Sequence, residues 1–325
     1  MLTGGLIVEN SSKQVLEETI LPVLAPRLRS IVQQLDAQEI DNLVEIRVRV
    51  NKPLLLEKIT GEVLLSPQGT TVNSPAQAYK VTKSDIKDTL NLMTNSSLYT
   101  LEEELKSGFL TLAGGHRVGF VGQVVRDNKS IRRIKNISAL NIRLCQEIIG
   151  AADKVIENII AKQDDIHNTL IVSPPRCGKT TLLRDLIRQI SDGLPSFNFP
   201  GLKVGVVDER SEIGGAYQGL AQNSLGLRTD LLDRAPKAEG MLLLIRSMSP
   251  DVIVTDEIGS RQDLEAIKEA LNAGVRVITT VHGNNLREVK ARPSLKGLFK
   301  ANTFSRIIIL SQKFGPGTVE QIIRQ

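Results

Sequence analysis

The chain has no tryptophan, and aromatic residues make up only 3% of its 325 positions. Its cores must therefore consist mainly of leucine, isoleucine and valine. Cysteine occurs twice, at Cys145 and Cys177, which is too few for a disulfide framework or a zinc site and fits a reducing cytoplasm. No apolar run approaches the roughly 20 residues that span a bilayer, and the first residues lack a signal-peptide pattern. We therefore expect a cytoplasmic protein that reaches a membrane only through a partner.

The N-terminal part, residues 1–145, predicts a smaller α+β domain with an antiparallel sheet. Residues 13–35 have helical spacing of apolar side chains, interrupted by Pro22 and Pro26. The other predicted elements are a hairpin over 44–58, a helix over 83–93, two strands over 110–125 that meet at Gly114 and Gly115, and a strand over 131–144.

The pattern changes after Cys145, and residues 146–325 predict an α/β domain with a mainly parallel sheet covered by helices. The predicted strands are 169–173, 203–208, 251–256, 275–281 and 304–310. The predicted helices are 151–161, 180–191, 237–248 and 261–273. The Gly-rich stretch 214–232 predicts surface loops, and a final hairpin surrounds residues 315–317.

The segment TLIVSPPRCGKTT, residues 169–181, has the strand, loop and helix order that a nucleoside-triphosphate phosphate loop requires. Loop amides and the helix N-terminus would hold phosphate oxygens. Lys179 would reach the β- and γ-phosphates, and the hydroxyl of Thr180 would ligate Mg²⁺. The motif usually begins with glycine, whereas this chain has a serine followed by two prolines. The predicted ATP-binding residues are Ser173, Pro174, Pro175, Arg176, Cys177, Gly178, Lys179, Thr180 and Thr181.

Acidic residues follow two of the predicted strands. The strand 251–256 ends at Asp256 and Glu257, whose buried charge Mg²⁺ would compensate, although a helix-capping role for Asp256 is an alternative. The strand 203–208 runs into Asp208, Glu209 and Glu212, which suit the positioning of Mg²⁺ or of a hydrolytic water. The alternative for these three is an exposed charged loop.

A histidine and a basic run complete the candidate residues. His282 follows the strand 275–281, where ligands of open α/β sheets bind, so we expect it to sense the γ-phosphate. A structural histidine is the alternative. The basic run could form a solvated strand face or an intersubunit contact, and nucleic acid is the less favoured partner because no aromatic residues interleave. Its members are Arg126, Lys129, Arg132, Arg133 and Lys135.

Taken in order, these blocks resemble the secretion ATPase superfamily, the motors of type II and type IV secretion and of pili. MLLLIRSMSPDVIVTDEIG followed by VRVITTVHG is similar to its Walker-B and His-box pair, and residues 208–212 match its Asp box. EIRVRVNKPLLL, GGHRVGFVGQVV and LRTDLLDRAPKAEGM are most similar to a sporulation branch of the superfamily. The resemblance covers essentially the whole chain.

The resemblance implies an ATP hydrolase that uses Mg²⁺ and works as a homo-hexameric ring. Glu212 falls at the position of the catalytic glutamate, with Glu209 in reserve, and Thr180, Asp256 and Glu257 would hold the metal ion. An arginine from the N-terminal domain would act at the neighbouring subunit's nucleotide. The candidates are Arg117, foremost because it lies in GGHRVGF, then Arg126, Arg132 and Arg133, with Arg228 and Arg234 as further possibilities.

The resemblance further implies a role in endospore formation. The protein would act in the mother cell, recruited to the membrane by a protein similar to a secretion platform, and would energise a channel to the forespore. Two alternatives remain open. One is a RecA-like ATPase that depends on nucleic acid, and the other is a nucleotide-gated assembly module with little turnover.

Overall fold

The computed structural model describes residues 12–95, 108–127 and 130–325. These residues divide into two compact units, residues 12–146 and residues 147–325, called here the N-terminal and C-terminal units. The roles assigned to the predicted domains, an intersubunit or regulatory domain over 1–145 and an ATPase domain over 146–325, stay predictions.

The N-terminal unit consists of an antiparallel sheet and short helices. Its helices are α1 (Ser12–Val15), α2 (Pro26–Val32), α3 (Ala37–Asp41) and α4 (Lys83–Met93). Its strands are β1 (Leu43–Arg49), β2 (Leu55–Lys58), β3 (Gly61–Leu65), β4 (Thr71–Val72), β5 (Phe109–Thr111), β6 (Arg117–Asp127) and β7 (Ser130–Arg143). The strand order is β4-β3-β2-β1-β7-β6-β5, and each pair is antiparallel.

Local sequence explains why these elements begin where they do. Pro26 is the first residue of α2, where the missing backbone N–H removes no helical hydrogen bond. Thr82 and Asp85 form a reciprocal capping box at the start of α4. Alternate β1 residues, Ile46 and Val48, are fully buried in the core of this unit. The predicted antiparallel sheet and the helix over 83–93 are therefore confirmed.

The C-terminal unit is a helix-covered, mainly parallel sheet. Its helices are α5 (Ile156–Ile159), α6 (Lys179–Asp192), α7 (Lys237–Met248), α8 (Arg261–Asn272), α9 (Leu286–Ala291) and α10 (Lys296–Lys300). Its strands are β8 (Ile160–Lys162), β9 (Asp165–Ile166), β10 (Thr169–Ser173), β11 (Val204–Asp208), β12 (Thr229–Asp233), β13 (Val252–Thr255), β14 (Arg276–His282), β15 (Arg306–Ser311) and β16 (Thr318–Arg324).

The large sheet of this unit has the order β12-β11-β13-β14-β10-β15-β16. All its neighbours pair in parallel except β16, which returns antiparallel to β15. A small hairpin of β8 and β9 lies outside it. Since parallel strands end at the same edge, the loops after β10, β11, β13 and β14 meet there. This edge carries the predicted site.

Two predictions about this unit are wrong in detail. Residues 229–233 form the edge strand β12 and not a surface loop. All five are only half-buried, and their sequence, TDLLD, has no clear alternation of apolar and polar side chains. The helix predicted over 151–161 shrinks to one turn, α5. Val155, Ile156 and Ile159 are buried at helical spacing, but Ile160 turns into the extended strand β8 and pairs with Ile166.

Helix α6 links the phosphate loop to the core of the C-terminal unit. Leu186 is fully buried in the apolar cluster beneath the helix. We expect Leu186→Ala to lower the free energy of unfolding by about 2–5 kcal/mol, because the truncation leaves a cavity. Urea denaturation followed by circular dichroism measures the change. Leu243→Ala on α7, at a side chain that is 53% exposed, is the control and should change stability by less than about 0.5 kcal/mol. Equal losses in both variants would contradict this account.

Candidate functional site

The loop between β10 and α6 has a backbone that suits anion binding. Arg176 and Gly178 both have positive φ, 60° and 75°, and Gly178 is the residue that precedes the first turn of α6. A Cβ atom at Gly178 would lie 2.8 Å from the backbone nitrogen of Gly317, so only glycine fits. The unpaired amides at the start of α6 can therefore turn toward a phosphate.

A cleft of ≈ 260 Å³ lies at this loop. Residues from four separate loops line it, namely Pro174, Pro175, Arg176, Cys177, Gly178, Lys179, Thr180, Thr181, Arg210, Glu212, Asp256, Glu257 and His282. Eight of the nine predicted phosphate-loop residues are among them. The structure thus brings the predicted phosphate loop together with Glu212, Asp256, Glu257 and His282.

Ser173 is the phosphate-loop residue that does not line the cleft. It ends β10, is fully buried, and its hydroxyl donates a hydrogen bond of 2.7 Å to the carbonyl of Pro174. Its own carbonyl accepts the N–H of Gly283 at 3.1 Å. Ser173 therefore supports the base of the loop, and a direct contact of Ser173 with the nucleotide stays a prediction.

Asp208 organises the loop that follows β11. The side chain is fully buried, and its two oxygens accept the backbone N–H groups of Glu212, Ile213 and Gly214, each at 2.9 Å. Burial raises the pKa of the carboxyl group, and the backbone hydrogen bonds oppose that rise. Arg184 of α6 donates to the carbonyls of Ile213 and Glu212, at 2.8 and 3.0 Å. Asp208 and Arg184 fix the loop that places Glu212 in the cleft.

The sequence had indicated that Asp208, Glu209 and Glu212 act as one group, but the structure separates them. Glu212 lines the phosphate cleft. Glu209 instead pairs with Lys237 at 2.5 Å and lines a larger neighbouring cleft of ≈ 1000 Å³. Asp208 is fully buried and lines neither of these two clefts. The positioning roles of Asp208 and Arg184 were missed, since a buried aspartate at a strand end has the same sequence signature as a metal ligand.

Asp256 is a buried carboxylate with an incomplete set of partners. It is 7% exposed, and its Oδ1 has no hydrogen-bond partner among the described residues. Burial raises its pKa to about 6, with Asp208 and Glu212 adding to the rise and Lys237 and Lys179 opposing it. The alternative capping role is excluded, because Ser260 and Asp263 form the capping box of α8. A cation would supply the missing partner of Oδ1.

Lys179, Glu257, His282 and Arg210 form a chain of contacts across the cleft. Nε2 of His282 lies 3.4 Å from Nζ of Lys179 and 3.5 Å from Oε2 of Glu257. Nη1 of Arg210 lies 3.8 Å from the same Glu257 oxygen. Burial lowers the pKa of Lys179, while Glu257, Asp256 and Glu212 raise it. Arg210 was missed, because an arginine inside an acidic run reads as a local ion pair.

The backbone of Glu257 is strained. Its φ is 28°, in a region that non-glycine residues rarely adopt, and its N–H donates to Oγ1 of Thr280 at 2.9 Å. Such conformations cost of order 1–3 kcal/mol and persist at functional sites because surrounding contacts hold them. In this conformation the carboxylate of Glu257 lies 3.5 Å from Nε2 of His282.

The donor set fits Mg²⁺ shared with phosphate. Among the residues that the structure describes, no group of three or more His, Cys, Asp or Glu side chains is arranged as a metal cluster. Mg²⁺ at phosphate sites commonly takes one or two carboxylates together with phosphate oxygens and water. Thr180, Asp256 and Glu257 line one cleft and supply oxygens of that kind, and the orphaned Oδ1 of Asp256 is the observation that favours a cation.

Four of the predicted arginines, Arg117, Arg126, Arg132 and Arg133, lie in the N-terminal unit, whereas Arg228 and Arg234 lie in the C-terminal unit. Arg117 on β6 pairs in register with Arg143 on β7, and its guanidinium carbon lies 3.7 Å from the ring centroid of Phe109. Arg126 and Arg133 lie toward the far end of the same hairpin and are exposed. Lys129 is outside the described residues, as is the side chain of Arg132. A role for any of them at a neighbouring subunit stays a prediction.

Comparison with known proteins identifies the family. The family model described as "Sporulation stage III, protein AA" matches residues 14–325. The chain belongs to this family. It is 42% identical over 303 residues to the stage III sporulation protein AA of Bacillus subtilis (strain 168), a match that covers 93% of this chain and 94% of that protein.

Solved structures confirm the fold of this family member. The ATPase DotB of Legionella pneumophila superposes with a TM-score of 0.54 at 16% identity, over 82% of this chain and 72% of DotB. The pilus retraction motor PilT with bound ADP gives a TM-score of 0.51 at 16% identity, over 82% of this chain and 74% of PilT. The predicted RecA-like phosphate-loop fold is therefore confirmed. None of the helices among the described residues is long and apolar enough to cross a bilayer.

The raised pKa of Asp256 gives a prediction about pH. Because burial raises the pKa of Asp256 in the folded protein to about 6, against an ordinary value of 3.8, the contribution of this group to stability falls as pH rises from about 4 to about 6. We expect Asp256→Asn to remove that fall and to raise the free energy of unfolding at pH 7.5 by up to about 3 kcal/mol.

Urea denaturation of the nucleotide-free protein at pH 5 and pH 7.5 measures the effect. Asp164→Asn, at a side chain that is 76% exposed, is the control and should leave the pH dependence unchanged. If Asp256→Asn follows the same pH curve as the parent protein, Asp256 does not titrate as described.

Proposed function

We propose that this chain hydrolyses ATP with Mg²⁺ as a motor ATPase of the secretion type. One observation carries the proposal. A single cleft is lined by the N-terminus of α6, Glu212, Asp256 and His282. Phosphoryl transfer needs mainly positioning and charge neutralisation, which such a set supplies. Membership in a sporulation family with a secretion-ATPase fold supports the same reading.

Each side chain receives a role from its position. The ammonium of Lys179 and the first amides of α6 bind the phosphates. Glu212, held by Asp208, orients the attacking water and accepts its proton. Thr180, Asp256 and Glu257 would hold Mg²⁺. When bound, the ion neutralises charge on the phosphate oxygens.

His282 connects the cleft with the sheet. Its Nε2 contacts both Lys179 and Glu257, and its backbone ends β14. When the charge near Lys179 and Glu257 changes, the imidazole of His282 changes the partner to which it donates its hydrogen bond. We infer that His282 passes the loss of the γ-phosphate to β14 and its neighbours, which makes it a positioning residue.

The assembled form is a homo-hexameric ring in which Arg117 acts at the neighbouring subunit's phosphates. The ring docks in the mother cell on a membrane protein similar to a secretion platform, and ATP hydrolysis energises a channel to the forespore. Family membership supports the sporulation setting. The phosphate cleft itself lies within one unit of one chain, so nucleotide binding and subunit contact can be tested separately.

Glu212 and Glu209 form a matched pair for testing the proposed chemistry. We expect Glu212→Gln to lower kcat by about 10²- to 10⁴-fold while ATP affinity stays similar, because the amide cannot accept the proton. Glu209→Gln should change kcat by less than about 3-fold, since Glu209 pairs with Lys237 outside the cleft. Steady-state phosphate release gives kcat, and calorimetric titration gives the dissociation constant.

The outcomes separate the proposal from its alternatives. If Glu212→Gln turns over as fast as the parent, the assignment of Glu212 is wrong. If the parent binds ATP but does not turn over, even when assembled, the chain is a nucleotide-gated assembly module. A turnover that single-stranded DNA strongly stimulates, in a salt-sensitive way, would favour the nucleic-acid-dependent ATPase.

A mixing experiment tests the arginine in trans. We expect Arg117→Ala and Glu212→Gln each to be nearly inactive, since an arginine finger can be worth several orders of magnitude in rate. In an equimolar mixture, a site with Glu212 from one subunit and Arg117 from its neighbour forms in about a quarter of cases. The mixture should therefore recover up to about a quarter of the parent's rate, and the rate should rise with protein concentration.

Arg133→Ala provides the matched control for this experiment. An exposed arginine at the far end of the same hairpin should retain activity on its own if Arg117 is the residue in trans. If Arg133→Ala is inactive alone and recovers in a mixture with Glu212→Gln, while Arg117→Ala does not recover, the role belongs to Arg133. Absence of recovery in both mixtures would count against an arginine supplied between subunits.

A further inference from the structure

The turn between β15 and β16, residues 312–317, is attached to the phosphate loop. The backbone N–H of Gly317 donates to the carbonyl of Cys177 at 2.9 Å, and Nε2 of Gln312 donates to the carbonyl of Arg176 at 3.0 Å. Gly178 approaches Gly317 so closely that a Cβ atom at Gly178 would lie 2.8 Å from the backbone nitrogen of Gly317. The turn is thus fixed to the phosphate loop near both of its ends.

Phe314 stands at the tip of this turn and is 84% exposed. The turn beneath it is ordered by hydrogen bonds, since Oγ1 of Thr318 accepts the N–H of Phe314 at 3.3 Å and donates to the carbonyl of Gly315 at 2.7 Å. Nζ of Lys313 lies 5.4 Å from the ring centroid. Apart from this contact with Lys313, the ring of Phe314 is presented to solvent on an ordered turn beside the phosphate loop.

The phosphate cleft is small for a complete nucleoside triphosphate. Its volume of ≈ 260 Å³ lies below the range of about 300–1,000 Å³ that is usual for small-molecule sites, and no residue of the 312–317 turn lines it. We expect the phosphates to occupy this cleft and the nucleoside to extend beyond it. A surface beside the cleft would then hold the base.

The order of the strands indicates the direction in which the nucleoside extends. Asp256, Glu257 and His282 follow β13 and β14, which lie on one side of β10, so the metal and the γ-phosphate belong on that side. Strand β15 lies on the other side of β10, and the turn with Phe314 follows its carboxyl end. Ligands of such sheets bind outside the carboxyl ends of the strands.

We propose that the turn between β15 and β16 is the nucleobase platform of this site and that the base stacks on the ring of Phe314. The proposal rests on the proposed function, because it names where the aromatic part of the same nucleotide binds. Base stacking on an aromatic side chain tolerates different bases, so the platform accepts nucleotides with any planar base and contributes affinity that inorganic phosphates lack. Anchoring on the carbonyls of Arg176 and Cys177 holds the platform at a fixed distance from the phosphates.

The absence of tryptophan permits a direct test of contact. Phe314→Trp introduces a single reporter, and we expect its emission to change with Mg²⁺ and ATP but not with Mg²⁺ and inorganic tripolyphosphate, which has no base. Leu227→Trp is the matched control. Leu227 is 83% exposed and precedes β12 at the opposite edge of the sheet, so its emission should not respond to either ligand.

Affinity measurements give the second arm. Phe314→Ala should weaken ATP binding by about 5- to 100-fold and leave tripolyphosphate binding unchanged, while Phe314→Tyr should retain ATP affinity. Leu227→Ala should bind both ligands as the parent does. Calorimetric titration of the full chain with each ligand provides these constants without any measurement of turnover.

The results distinguish failure of this inference from failure of the proposed function. If the parent binds neither ATP nor tripolyphosphate, the proposed function fails and the platform with it. If the parent binds both and Phe314→Ala binds ATP equally well, the platform alone is refuted. A change in sedimentation of Phe314→Ala at unchanged ATP affinity would assign Phe314 to contact between copies of the chain and would also overturn the proposal.

Discussion

The carboxylate of Asp208 is the interaction on which the candidate site depends. A fully buried carboxylate is unfavourable unless its oxygens are hydrogen-bonded, and here three consecutive backbone N–H groups satisfy them. Those bonds bend the chain immediately after β11, and Arg184 secures the same bend from the carbonyl side. The geometry of Glu212 is therefore set by backbone hydrogen bonds, and loss of Asp208 would disturb the cleft without removing any group that lines it.

The charged side chains of the cleft are arranged so that a bound ligand would stabilise them. Lys179 and Asp256 are both largely buried, and each has its pKa displaced toward the neutral form. Within the part of the chain that the structure describes, neither has an ion-pair partner within 4.0 Å. Buried groups of opposite sign that are held apart in this way gain most when an anion and a cation enter together. The strained backbone of Glu257 belongs to the same pattern, since surrounding contacts hold the carboxylate in place before any ligand arrives.

Much of the site could be predicted because it depends on strand order. The phosphate loop follows a buried strand and opens a helix. Asp256 and Glu257 follow β13 and His282 ends β14, so their meeting is a property of parallel topology. The sequence could not distinguish residues that have similar neighbours along the chain but differ in burial. Asp208, Glu209 and Glu212 form one acidic run, yet they are a buried backbone acceptor, a partner of Lys237 and a cleft residue. The edge strand β12 was missed because its half-buried residues lack alternation.

The contact between the phosphate loop and the turn after β15 has a consequence for how the protein folds. The side chain of Gln312 bonds to a carbonyl 136 positions earlier in the chain, and Gly178 reaches its final packing only when Gly317 is present. Closing such a large loop is entropically costly and slow compared with forming α6 or the β15–β16 hairpin. During synthesis, the phosphate-loop sequence would therefore be complete long before residues 312–317 are available to pack against it. Nucleotide binding would begin only after the sheet has formed.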